Sequence, residues 1–136
     1  METAGRRAIS AGRRVLIVED EFLAALTTTD FLESIGCEVV GPAARLFIAL
    51  ELARSAAIDA ALLDINIAGE MVWPVADELG RRKVPFVFLS AYSKFDVLPL
   101  RFADAPCLAK PLVQQRLLGG LLAIWGNSTK GGLAQP

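Results

Sequence analysis

The chain has 136 residues, of which 54% are hydrophobic and 21% charged, with a formal net charge of -1. That is about one domain with enough apolar material for a core, and no long-range pull toward nucleic acid. It contains no histidine, which excludes a histidine general base, a serine–histidine triad and histidine-ligated zinc.

Residues 1–12 are small and polar, carry Arg6 and Arg7, and have no apolar h-region. They read as a disordered leader rather than a signal peptide. Arg14–Val18 is a continuous apolar run, the mark of a strand buried on both faces, and it runs into the acidic cluster Glu19-Asp20-Glu21. Glu21–Ile35 has helical spacing and a stop at Gly36. Cys37–Val40 is a second strand, closed by Gly41-Pro42, and Ala43–Ala56 a second helix. The third strand lies in Ile58–Ile65 and delivers Asp64, followed by a loop over 66–70 and a helix over 71–83 that tolerates Pro74 only in its first turn. Val84–Leu89 is the fourth strand and ends at Ser90. A fourth helix is expected over 93–104, short or distorted because Pro99 lies inside it. Pro106–Ala109 is the fifth strand, ending at Lys110-Pro111, and 111–125 the last helix, weakened by Gly119-Gly120. Residues 127–136 are Gly-rich and read as a flexible tail, so the domain spans 13–126.

Alternating strands and helices predict an α/β domain with a parallel sheet covered by helices on both faces. Right-handed crossovers put the carboxyl ends of all strands on one edge, where ligands of open parallel sheets bind. Glu19, Asp20, Asp64, Ser90 and Lys110 therefore converge. Such a set suits an aspartate that accepts a phosphoryl group beside a divalent cation. Taken singly, each residue has a plainer reading: Asp20 and Ser90 as caps, Asp64 as a loop carboxylate, Lys110 as a solvated strand-end lysine. The ordered set favours the chemical one.

Residues 13–126 resemble the receiver domain of two-component response regulators. The resemblance implies a flavodoxin-like five-stranded parallel sheet of order 2-1-3-4-5. It implies Asp64 as phospho-acceptor and a magnesium site from Glu19, Asp20, Asp64 and the backbone carbonyl of Asn66. It further implies Ser90 as switch hydroxyl with the small Ala91 after it, and Lys110 with Pro111, which in the family follows a cis peptide. The run Pro85-Phe86-Val87-Phe88-Leu89-Ser90-Ala91-Tyr92 is similar to the Pro-Phe-x-Phe-Ala-Thr-Gly-Tyr pattern of stand-alone alphaproteobacterial receivers. The pattern departs at Cys107, where many receivers carry a switch Tyr or Phe. Tyr92 is a candidate substitute for that ring, or else merely covers the pocket edge.

In the order 2-1-3-4-5, Cys37 and Cys107 lie on opposite edge strands, roughly 19 Å apart and beyond the ~7 Å that a disulfide needs. No run of about 20 apolar residues could span a membrane, and a cytoplasmic location is expected. The resemblance implies a non-enzymatic response regulator that takes its phosphoryl group from a sensor histidine kinase or histidine phosphotransfer protein. With little chain after Trp125, signalling is expected through a downstream protein target or onward transfer, without direct nucleic-acid contact. The apolar residues of the last helix (Val113, Leu117, Leu118, Leu121, Leu122, Trp125) suggest a homodimer through it. Two alternatives remain: a phosphorylation-independent binding module on the same fold, and a phosphatase of the haloacid dehalogenase type. The second is disfavoured because Asp64-Ile65-Asn66 lacks the second aspartate and sits on the third strand.

Overall fold

The computed structural model describes residues 10–91 and 98–128. Its main sheet has five parallel strands: β1 (Arg14–Val18), β2 (Glu38–Ala43), β3 (Ala60–Asp64), β6 (Phe86–Ser90) and β7 (Cys107–Ala109), in the order β2-β1-β3-β6-β7. This is the expected order 2-1-3-4-5, interrupted in sequence by a small hairpin. The central strands form because their residues are apolar on both sides of the pleat. All five residues of β3 are buried, as are Val15–Val18 of β1.

Alternation along the strands divides the core. Val15, Ile17, Leu62, Val87 and Leu89 pack with Leu32 of α1 (Phe22–Ser34) and with Leu117, Leu121 and Trp125 of α4 (Gln114–Ser128). Leu16, Val18, Leu63 and Phe88 pack on the opposite side with Ala49 and Ala53 of α2 (Leu46–Ser55) and with Val75, Ala76 and Leu79 of α3 (Trp73–Arg81). Helices thus cover both faces, as the sequence predicts. Each fully buried leucine contributes about 1.5–3 kcal/mol relative to an exposed one.

Four local features bear on the sequence expectations. First, β2 does not close at Gly41-Pro42 but runs through it to Ala43. As an edge strand it tolerates a proline, and the register against β1 shifts between Leu16 and Val18. Gly41 makes the close passage workable: it has φ +92, and a Cβ there would lie 2.8 Å from the Ala43 nitrogen. Second, the fourth helix is short, as expected: among the described residues it is a single 3-10 turn, Leu100–Phe102, which follows Pro99. Residues 92–97 lie outside the described residues. Third, Leu117, Leu118, Leu121 and Trp125 are buried within the chain. The broad apolar surface expected on the last helix is therefore mostly core, and the argument for a homodimer through it loses its basis. Fourth, packed structure begins before residue 13: Ser10 is buried and its hydroxyl donates to the Ile35 carbonyl, while the Gly12 N–H donates to Gly36 O at 2.9 Å.

Segment 66–71, expected as loop followed by helix, contains an antiparallel hairpin of β4 (Asn66–Ile67) and β5 (Glu70–Met71). Its two-residue turn has φ +53 at Ala68 and +90 at Gly69. Positive φ at both central positions is the pattern of a type I′ turn, which matches strand twist. The buried Ile67 and Val72 root it in the core.

Candidate functional site at the carboxyl edge of the sheet

The register places the polar strand ends side by side. Val18 pairs with Leu63, Asp64 with Leu89, and Ser90 with Ala109. Backbone bonds continue past the strands: Glu19 N–H donates to Ala43 O at 3.0 Å, and Lys110 N–H to Ser90 O at 2.9 Å. Glu19, Asp64 and Ser90 are buried there, although each is polar. Burying such groups is tolerable only with partners.

Lys110 supplies the partner for Glu19 and Asp64. Its Nζ lies 3.1 Å from Asp64 Oδ2, 3.2 Å from Glu19 Oε1 and 3.4 Å from Glu19 Oε2. The Lys110–Pro111 peptide bond is cis. Burial disfavours the Lys110 ammonium, but the hydrogen bonds and charges of Asp64 and Glu19 outweigh it, and its pKa is raised above the ordinary lysine value. Glu19 is also raised above the usual carboxylate value, chiefly by burial and further by the Asp64 charge. The Glu21 amide and Lys110 oppose this only partly. That amide donates to Glu19 Oε2 at 3.1 Å.

The third acid is held differently. Asp20 is exposed, and its Oδ2 accepts from the Ala68 N–H at 2.7 Å. The N-cap of α1 is Glu21, not Asp20: Glu21 Oε1 accepts from Ala24 N–H at 3.1 Å. Glu19, Asp20 and Asp64 each offer a carboxylate oxygen, all within 4.8 Å of one another. Hard oxygen donors so grouped fit magnesium or another hard divalent cation.

The remaining predicted residues divide. Asn66 stands in β4, with its side-chain Oδ1 taken by the Gly69 N–H at 2.9 Å. Ala91 lines a cavity of ≈ 530 Å³ also bordered by Glu19, Leu23, Thr28, Lys110 and Leu112, and Lys110 links it to Asp64. Pro111 lines it too. Cys107 is away from the acids, opposite Phe88 in the β6–β7 ladder and half-buried against the α2/α3 side of the core. Tyr92 lies outside the described residues. Two features escaped the sequence: the Ala68 amide on Asp20, and the double engagement of Lys110. The only sequence trace of the former is Gly69.

Known proteins share this fold. A solved structure of SdrG from Sphingomonas melonis Fr1 is 38% identical, with 85% of this chain and 97% of that one covered and a TM-score of 0.72. The chain belongs to the response regulator receiver family. The receiver domain of a sensor histidine kinase from Pseudomonas aeruginosa PAO1, solved with magnesium coordinated in its active-site cleft, is 25% identical over 85% of this chain and 99% of that one, with a TM-score of 0.73. The transcriptional regulatory protein PdtaR of Mycobacterium tuberculosis is 34% identical over 98 residues, 71% of this chain. This receiver spans about half of PdtaR's length, 47%. No family model matches the chain. No helix among the described residues is long and apolar enough to cross a membrane.

Proposed function

We propose that this receiver takes a phosphoryl group onto Asp64 from a phosphohistidine of a sensor kinase or phosphotransfer protein. The observation that carries this reading is the position of Lys110 Nζ, which is 3.1 Å from Asp64 Oδ2 and belongs to a residue that lines a cleft. In the transfer, an Asp64 carboxylate oxygen bonds to phosphorus as the bond from phosphorus to the donor imidazole nitrogen breaks. The imidazole leaves with that electron pair and takes up a proton. Little covalent work falls to the protein beyond alignment and charge neutralisation.

Lys110 stays charged, as its raised pKa requires, and faces the phosphoryl oxygens as a compact point charge. Glu19, Asp20 and Asp64, with the carbonyl of Asn66, would hold magnesium, which supplies Lewis-acid neutralisation of the transferred group. Ser90 at the end of β6 is the hydroxyl that engages the acyl phosphate. Phe22 and Leu23, 74% and 64% exposed, present apolar surface on α1, and Leu23 borders the cleft itself, where a donor protein must dock. The signal then leaves by contact with a downstream protein or by onward transfer.

Incubation with acetyl phosphate and magnesium tests the reading by intact mass. The native chain gains one phosphoryl group and Asp64→Ala gains none. A gain that persists in Asp64→Ala, or a native chain that never gains mass, overturns it.

A further inference from the structure

The β4–β5 hairpin stands beside the acidic cluster, and its turn reaches into that cluster. Ala68 N–H donates to Asp20 Oδ2 at 2.7 Å across 48 positions of sequence. Two further contacts fix the turn: Asn66 Oδ1 accepts from Gly69 N–H at 2.9 Å, and the strands pair Asn66 with Met71 and Ile67 with Glu70. Behind it, Val72 N–H donates to Ile65 O at 2.9 Å, next to Asp64. The hairpin is therefore tied at its base to the strand that carries Asp64 and at its tip to the carboxylate that follows β1.

We infer that the hairpin is a positioning clamp for the cation site, with the Ala68 backbone amide holding Asp20 in its ligating orientation. This deepens the reading above and rests on Glu19, Asp20 and Asp64 being the metal ligands. Asp20 needs such a clamp more than its neighbours do. Glu19 and Asp64 are buried and share Lys110, whereas Asp20 is exposed and would otherwise sample several rotamers. A bond from one carboxylate oxygen to the amide leaves the other for a cation. The turn supplies the N–H only while Ala68 keeps φ +53, a left-handed conformation that a residue with a Cβ adopts at some cost. Hairpin closure and cation binding are consequently two events on one carboxylate. Linkage makes them reciprocal: whatever the closed hairpin adds to cation affinity, the cation adds to hairpin closure.

The test uses the native chain, magnesium alone, and two exposed-turn variants that keep the N–H. Hydrogen exchange of the Ala68 amide is followed by NMR with and without saturating magnesium, and magnesium affinity is measured by calorimetry. Magnesium slows Ala68 exchange in the native chain by at least about fivefold, the lower end of ordinary coupling. Ala68→Val, which puts a β-branched residue at a positive φ, weakens magnesium binding by a similar factor. Ala68→Asn creates Asn-Gly, the favoured pair for this turn, and binds at least as tightly as the native chain. Unchanged or faster Ala68 exchange on magnesium saturation overturns the clamp, whatever the variants do. Equal magnesium affinity in Ala68→Val and Ala68→Asn overturns it too. Magnesium binding with an indifferent Ala68 amide removes the clamp alone, whereas no magnesium binding removes the metal site with it.

Discussion

The sheet's carboxyl edge and the face of β6 packed against α3 are built from different forces. At the ends of β1 and β3, charge is concentrated: Glu19 and Asp64 are buried and share Lys110, and Asp20 is held by a backbone amide. On the β6–β7 side the neighbouring volume is aromatic. Phe88 meets Trp73, Phe86 and Phe102 with ring centroids 5.6, 5.2 and 5.4 Å away, mostly edge-to-face. The charged half is sensitive to protonation. The aromatic half responds to volume. Three residues before the lysine stands Cys107, half-buried against the aromatic side, and the nearby rings pack into the core.

The largest expected effect breaks the aromatic half. Phe88 is fully buried among those rings. Phe88→Ala removes its edge-to-face contacts and leaves a cavity, a change that costs about 3–5 kcal/mol. Urea denaturation of the metal-free chain measures it. A loss below about 1 kcal/mol would mean that the cluster collapses around the gap, and that this half is softer than its packing implies.

A smaller effect separates the charged half. Burial, then the Asp64 charge, holds the Glu19 pKa above its ordinary 4.5. The folded chain thus binds this proton more tightly than the unfolded chain. Its contribution to stability is fully present below the ordinary carboxylate range and is lost as pH rises through the raised value. Glu19→Gln stays neutral and escapes that loss. With magnesium removed by chelator, the variant gains on the native chain as pH rises from 4.5 toward neutrality. Phe88→Ala shifts stability with no such dependence. Parallel pH curves for Glu19→Gln and the native chain would show that Lys110 already compensates Glu19 in full.

Most of the framework was legible because buried parallel strands leave a strong mark. Val15–Val18 and Ala60–Leu63 are unbroken apolar runs, and the acids, hydroxyl and lysine follow such runs in chain order. What was hidden depends on contacts remote in sequence. The hairpin has two residues per strand and an Ala-Gly turn, so neither alternation nor an Asn-Gly signal announces it. Pro42 looks like a terminator, yet an edge strand has an unpaired side on which a missing N–H costs little. The last helix shows more apolar residues than one stripe requires, and a linear reading exports the excess to a partner, whereas Leu117, Leu118, Leu121 and Trp125 are all inside. The sharing of Lys110 between Glu19 and Asp64 follows from the depth of Glu19, a property of the folded edge rather than of the motif.

The smallest expected effect lies at the rim of the aromatic half. Arg101 in the 3-10 turn forms two parallel bonds to Asp77 of α3, Nε to Oδ1 and Nη2 to Oδ2, each 2.9 Å. The geometry is good, but the side chains are 54% and 49% exposed, so water competes for both charges and salt screens them. The hydrophobic anchor of the turn is Phe102, buried beneath it. Asp77→Asn should therefore leave the denaturation midpoint close to native while speeding amide exchange at Ala103, whose N–H closes the turn on Leu100 O at 3.0 Å. If Asp77→Asn instead unfolds the chain as readily as Phe88→Ala does, then charge and not ring packing holds this half, and the contrast between the two regions is wrong.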